Sequence, residues 1–124
     1  MHIVISNQSG KPIYEQIAEQ VKALIISGEL GEGDALPSMR LLAKELRISV
    51  ITTKHAYEDL EREGFLVTMP GKGSFVAPQN PELHREEMRK QVEDHLQQAI
   101  DAARRGGITR DEVLAAIQLL WEDT

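Results

Sequence analysis

Apolar residues along the chain fall first at helical spacing and later in short continuous runs. Ile13, Ile17, Val21, Leu24 and Ile25 share one face of a first helix. Pro12 suits its first turn and Gly28 its C-terminal stop. Upstream, Ile3-Val4-Ile5 reads as a short strand before the turn-forming residues 6–10. Downstream, Gly31, Gly33 and Asp34 make a loop that Leu30 and Leu36 pin to the core. Ser38 follows Pro37 and caps a second helix, whose apolar side is Leu41, Leu42 and Leu46. Arg47-Ile48 is a tight connection. Ser49 caps a third helix, with Thr53, Ala56, Tyr57 and Leu60 on one face and Gly64 at its end. Residues 65–68 and 74–77 read as two strands, joined by the glycine-rich hairpin tip Met69-Pro70-Gly71-Lys72-Gly73.

Two helices joined by a tight turn make a helix-turn-helix, and the hairpin after them is a wing. Pro78-Gln79-Asn80-Pro81 is a linker. A long amphipathic helix follows, from Glu82 to Arg104, with apolar positions at Leu83, Met88, Val92, Leu96, Ala99, Ile100 and Ala103. Gly106-Gly107 breaks it. Thr109 and Glu112 form the pattern of a capping box, flanked by Ile108 and Val113 as a hydrophobic staple. A last helix carries Val113, Leu114, Ile117, Leu120 and Trp121. The expected fold is mainly α with a small β-wing. A winged helix-turn-helix over 1–78 is followed by a two-helix dimerisation tail over 79–124. Two helices bury little by themselves, and pairing with a second copy removes that deficit. Val92, Leu96, Ile117, Leu120 and Trp121 are the candidate dimer contacts. The alternative is that these stripes fold back as core.

Composition narrows the class. Apolar residues make up 41% of the chain, the share of an ordinary globular protein. The absence of cysteine excludes a disulfide framework and a thiolate metal site. No segment approaches the roughly 18 apolar residues of a membrane helix, and Met1-His2-Ile3-Val4-Ile5 lacks the features of a secretory signal. The expected location is the cytoplasm, with no membrane partner. The formal charge of −6 argues against nucleic acid until it is divided. Within residues 36–54, Arg40, Lys44, Arg47 and Lys54 face only Glu45, a local excess of positive charge.

The motifs are specific when read in order. PIYEQI stands at 12–17, GELGEGDALPS at 28–38, MRLLAKEL at 39–46, ISVITTKHAYEDLEREGF at 48–65 and PGKGSFV at 70–76. Residues 12–77 thereby resemble the GntR family of winged-helix repressors. The tail is too short for the large ligand-binding or aminotransferase-type domains of most branches, so the chain resembles the YtrA subfamily. That resemblance implies a homodimeric transcription regulator, dimerised through its tail and reading an inverted-repeat operator in double-stranded DNA. It also implies regulation of transporter genes. By analogy alone, the tail or dimer seam also holds a small-molecule effector of unknown identity.

The resemblance assigns roles to individual positions. Arg40 matches the family arginine after Leu-Pro-Ser, which reaches DNA. Lys54 matches a basic position on the recognition helix. Ser38 and Ser49 either cap their helices alone or also present helix N-termini to phosphate, and Thr52 offers a hydroxyl donor. Val50 departs from the pattern, since many relatives carry an arginine there that grips guanine through two donors. Val50 and Ile51 either touch thymine methyl groups or, for Val50, cap the core. His55 is either a phosphate donor or a plain exposed histidine. Gly71, Lys72 and Gly73 form the wing tip, where glycine allows close approach and lysine reaches the minor groove or a phosphate.

Enzyme chemistry finds no support. The histidines at 2, 55, 84 and 95 lack metal-ligand spacing, and no phosphate loop or nucleophilic triad is present. No cofactor is expected. The alternative from another class is a winged-helix module used purely for protein contacts, which the net negative charge favours.

Overall fold

The computed structural model describes residues 1–123, which divide into two compact units, Met1–Leu83 and a second beginning at His84. The element order is α1 (Ile13–Ser27), α2 (Met39–Leu46), α3 (Val50–Arg62), β1 (Leu66–Met69), β2 (Gly73–Val76), α4 (Pro81–Gly106) and α5 (Arg110–Glu122). The core of the first unit joins Ile17 and Val21 of α1, Leu42 of α2, Ala56, Tyr57 and Leu60 of α3, and Phe65 and Val76 around the wing. The helical members each come from the apolar stripe of their own helix, and Phe65 and Val76 come from the wing and its approach.

Two polar side chains inside this core fix how the helices meet. Thr53 is fully buried, and its hydroxyl shares one proton between Val50 O at 2.8 Å and Met39 O at 3.0 Å. Tyr57 donates to Pro37 O at 2.7 Å. The bonds to Met39 O and Pro37 O run from α3 to the start of α2, so the relative placement of the two helices is set by hydrogen bonds as well as by packing.

The expected strand at Ile3-Val4-Ile5 does not form. The segment is extended and alternates as a strand would, with Ile3 buried and Val4 exposed. Its backbone is satisfied by glutamine side chains of α1 instead. Gln20 accepts from Val4 N and donates to Val4 O, and Gln16 accepts from Ser6 N and donates to Ser6 O. Leu41 also departs from expectation: it is exposed, and the buried side of α2 is Leu42 and Ala43.

The wing ladder is antiparallel, pairing Leu66 with Val76 through Met69 with Gly73, one residue further toward the tip than the pattern suggested. The turn explains the shift. Lys72 N donates to Met69 O at 2.9 Å, Pro70 takes the first corner, and Gly71 supplies the positive φ of 75° that a type II turn demands. The loop before α2 adds a third leg. Leu36 N donates to Ser74 O and Val76 N to Asp34 O, with a bridge between Ala35 and Phe75. The loop is thus held by backbone pairing as well as by Leu30 and Leu36. Gly64, after α3, has a φ of 87°, and a Cβ there would meet Leu83 Cδ2 at 3.2 Å, so both backbone and packing call for glycine.

In the second unit, Gly107 takes positive φ and Ile108 N donates to Ala103 O at 2.9 Å, closing α4. Thr109 and Glu112 then form the expected reciprocal capping box for α5. Ala103 is buried, while Met88, Val92, Leu96 and Ile100, spaced four apart on α4, are exposed. Ile117, Leu120 and Trp121 on α5 are exposed as well. Within the second unit, these positions stay exposed.

Candidate nucleic-acid interface

Both helix starts of the helix-turn-helix are capped by serine. Ser38 Oγ accepts from Leu41 N at 3.1 Å and Ser49 Oγ from Ile51 N at 3.0 Å. Each cap fixes where the next side chains emerge: Arg40 in the first turn of α2, and Val50, Ile51 and Thr52 in the first turn of α3. Val50 is 44% exposed and Ile51 79%, so Val50 does not cap the core. Thr52 is half-buried. The N-terminal half of α3 therefore presents two aliphatic side chains to solvent, which is uneconomical for a surface that meets only water.

Between the helices, Arg47 takes the left-handed conformation, φ 57° and ψ 48°. Its N–H donates to Lys44 O and the next residue, Ile48, donates to Ala43 O, the paired bonds of a Schellman turn. Glycine usually fills that position. Arg47 is the sole non-glycine residue of positive φ among the described residues, and it holds a cation at the turn. In the sequence Arg47 is one cation of the basic stretch 36–54, and only the turn geometry singles it out.

Charge around this surface is unevenly paired. Arg40, Lys44, Arg47 and Lys72 are exposed and make no ion pair among the described residues. Lys54 lies 3.8 Å from Glu58, a loose and exposed i,i+4 contact worth little in water. The acids of α3 sit toward its C-terminal end, at Glu58, Asp59 and Glu61. A polyanion therefore meets favourable charge at the start of α3 and unfavourable charge at its end. Lys72 projects from the turn of the wing, next to Gly71 and Gly73. The wing is tied to α3 by Thr68, which donates to Glu61 at 3.1 Å and lies 3.1 Å from Ser74 Oγ.

His55 is exposed and also has neighbours from two helices. Its ring stacks on Tyr14 of α1, centroids 3.7 Å apart and planes 14° from parallel, and its Nε2 lies 3.6 Å from Asp59. Nothing in the spacing of residues 14 and 55 marks Tyr14 in the sequence, because the stack depends on how α1 lies beside α3.

The profile of the bacterial regulatory proteins of the gntR family matches residues 13–76. The chain belongs to the GntR family. Among its relatives, the HTH-type transcriptional repressor YtrA of Bacillus subtilis is 34% identical over 111 residues, spanning 90% of this chain and 85% of that protein. Among solved structures, YtrA from Sulfolobus acidocaldarius, a GntR-family transcription factor, is 38% identical with a TM-score of 0.62, over 76% of this chain and 96% of that one. The DNA-binding domain of AraR, crystallised with its operator ORX1, is 25% identical with a TM-score of 0.55, over 62% of this chain and 96% of that one. The GntR chain is thus a winged-helix, DNA-binding transcriptional regulator of YtrA-like kind. Among its described residues no helix is long and apolar enough to cross a membrane.

Proposed function

We propose that this GntR-family chain is a cytoplasmic homodimeric repressor that binds an inverted-repeat operator. Each α3 enters a major groove by its N-terminal half, and each wing tip lies over adjacent backbone or minor groove. The observation that carries this reading is a set of exposed cations without an ion pair among the described residues, Arg40, Lys44 and Arg47 in the helix-turn-helix and Lys72 in the wing turn, together with the exposed Val50 and Ile51 at the start of α3. Val50 and Ile51 suit thymine methyl groups, and valine at position 50 shifts the readout away from guanine. Ser38, Ser49 and Thr52 place hydroxyls and helix N-termini at phosphates, with Arg40, Lys54 and His55 beside them and Gly71, Lys72 and Gly73 at the wing. The operator-bound AraR domain supports this placement by its fold.

Homodimerisation through the tail rests on the uncovered stripe of α4, including Val92 and Leu96, with Ile117, Leu120 and Trp121 of α5. An operon encoding a transporter is the target that the YtrA-like resemblance implies. The test is a band-shift and footprint on the region upstream of the chain's own gene. Two protected half-sites about one helical turn apart are expected. No protection at any salt below about 100 mM, where electrostatic affinity is strongest, overturns the proposal.

A further inference from the structure

We propose that Tyr14 of α1 and His55 of α3 together form a phosphate seat beside the recognition helix. The inference rests on the DNA-binding surface described above and adds a residue from a helix outside the helix-turn-helix.

The helix geometry places the pair at the edge of that surface. At about 100° per residue, Lys54 lies roughly 60° to one side of Ile51 and His55 roughly 40° to the other. A helix lying in a major groove turns its centre to the bases and its flanks to the two backbones. Ile51 is the exposed centre, so Lys54 and His55 face opposite flanks. The flank of His55 is the one that α1 lines, as the ring stack on Tyr14 shows.

The free polar atoms then define what the pair can hold. The Tyr14 hydroxyl makes no hydrogen bond among the described residues, and neither does either imidazole nitrogen of His55, since 3.6 Å from Asp59 is beyond hydrogen-bond reach. The stack fixes the imidazole plane, so its donor and the phenol donor are ordered before any ligand arrives. Two ordered donors on one flank suit a phosphate oxygen, which offers several lone pairs and negative charge. Asp59 would repel such a group, but Arg62 holds its Oδ1 at 2.6 Å and offsets that charge. Glu58, one turn further along the same helix, is partly balanced by Lys54 at 3.8 Å, which itself faces the other flank. Tyr14 is the group facing His55 from α1.

The test measures anisotropy of the full chain on two labelled duplexes at low salt, one carrying the upstream region of its gene and one scrambled. Tyr14→Phe keeps the stack and removes the hydroxyl. It is expected to weaken binding about 5-fold on both duplexes, with no change in melting temperature. His55→Ala is expected to weaken both as well, and the double variant to lose less than the product of the two, because the donors share one acceptor. A Tyr14→Phe variant that binds as the wild type overturns the seat, as does a loss confined to the upstream duplex, which would mean base contact. Wild-type chain that binds neither duplex removes the DNA reading itself, whereas wild-type binding with Tyr14→Phe unaffected removes the seat alone.

Discussion

Replacing Arg47 by glycine should move stability and DNA affinity in opposite directions. Arg47 sits at φ 57° in the turn of the helix-turn-helix, where a Cβ crowds the following carbonyl. That conformation costs an L-residue about 1–2 kcal/mol. Glycine removes the crowding but gives back about 0.5–1 kcal/mol through the extra freedom of the unfolded chain. The net expectation is a gain of about 0.5–1 kcal/mol, a rise of several degrees in melting temperature. The same substitution deletes a cation without an ion pair among the described residues at the proposed interface. The slope of log affinity against log salt should then fall by about 0.9 per chain. Calorimetry or circular-dichroism melting reads the first effect, and anisotropy titrations from 50 to 200 mM salt read the second. Arg47→Lys is the control, keeping both the strained backbone and the charge. A glycine variant that melts at or below the wild-type temperature refutes the backbone argument. An unchanged salt slope refutes the placement of Arg47 at a phosphate.

Thr53→Val keeps the shape of a fully buried side chain but leaves Met39 O and Val50 O without its proton, so a loss of about 1–3 kcal/mol is expected in urea unfolding. Burial, with Glu45 adding to it, holds the Tyr57 phenol well above the ordinary tyrosine value of about 10. The folded state keeps that proton where the unfolded chain releases it, so stability is whole below about pH 10 and declines as pH rises further. Denaturation midpoints across that range check this, and a flat profile counts against it. Leu96→Asp puts a charge into the exposed stripe of α4 and should yield a monomer by sedimentation, while the melting of the first unit stays as it was.

The helices and the wing were legible because each carries its own local signal. Ser38 and Ser49 mark helix starts by a hydroxyl that satisfies a free amide, and Thr109 with Glu112 does so reciprocally. The misreadings arise where tertiary partners decide. Ile3-Val4-Ile5 alternates like a strand, yet the backbone of Val4 pairs with Gln20 and that of the following Ser6 with Gln16, both side chains of a helix. Phe75 has the pattern of a hairpin residue but also pairs with Ala35, which no local pattern signals. The interface divides in the same way. Arg40, Lys54 and Lys72 could be named from their places in the motif, and the aliphatic Val50 could be flagged as unusual. The stack of Tyr14 on His55 could not, because it depends on how α1 crosses α3.

Net charge is a poor guide here because DNA responds to charges within about a Debye length, roughly 8–10 Å at ordinary salt. The chain carries 20 acidic and 14 basic side chains. Yet the helix-turn-helix and wing turn expose four cations without an ion pair among the described residues and a fifth, Lys54, that one carboxylate holds only loosely. If all five met phosphates, counterion release would give a salt slope of about −4.5 for one chain and about −9 for a pair. Those values are upper limits, since Glu58 and Glu61 keep the far end of α3 from close approach. A slope well beyond −9 would require cations outside this surface, and the charge map of the first unit would then be the wrong basis for the interface. A slope near about −4 on a palindromic duplex fits one chain alone or a pair using about half of its cations. A stoichiometry of one chain per duplex would decide for the first, and the tail stripe would then have to serve something other than pairing on DNA.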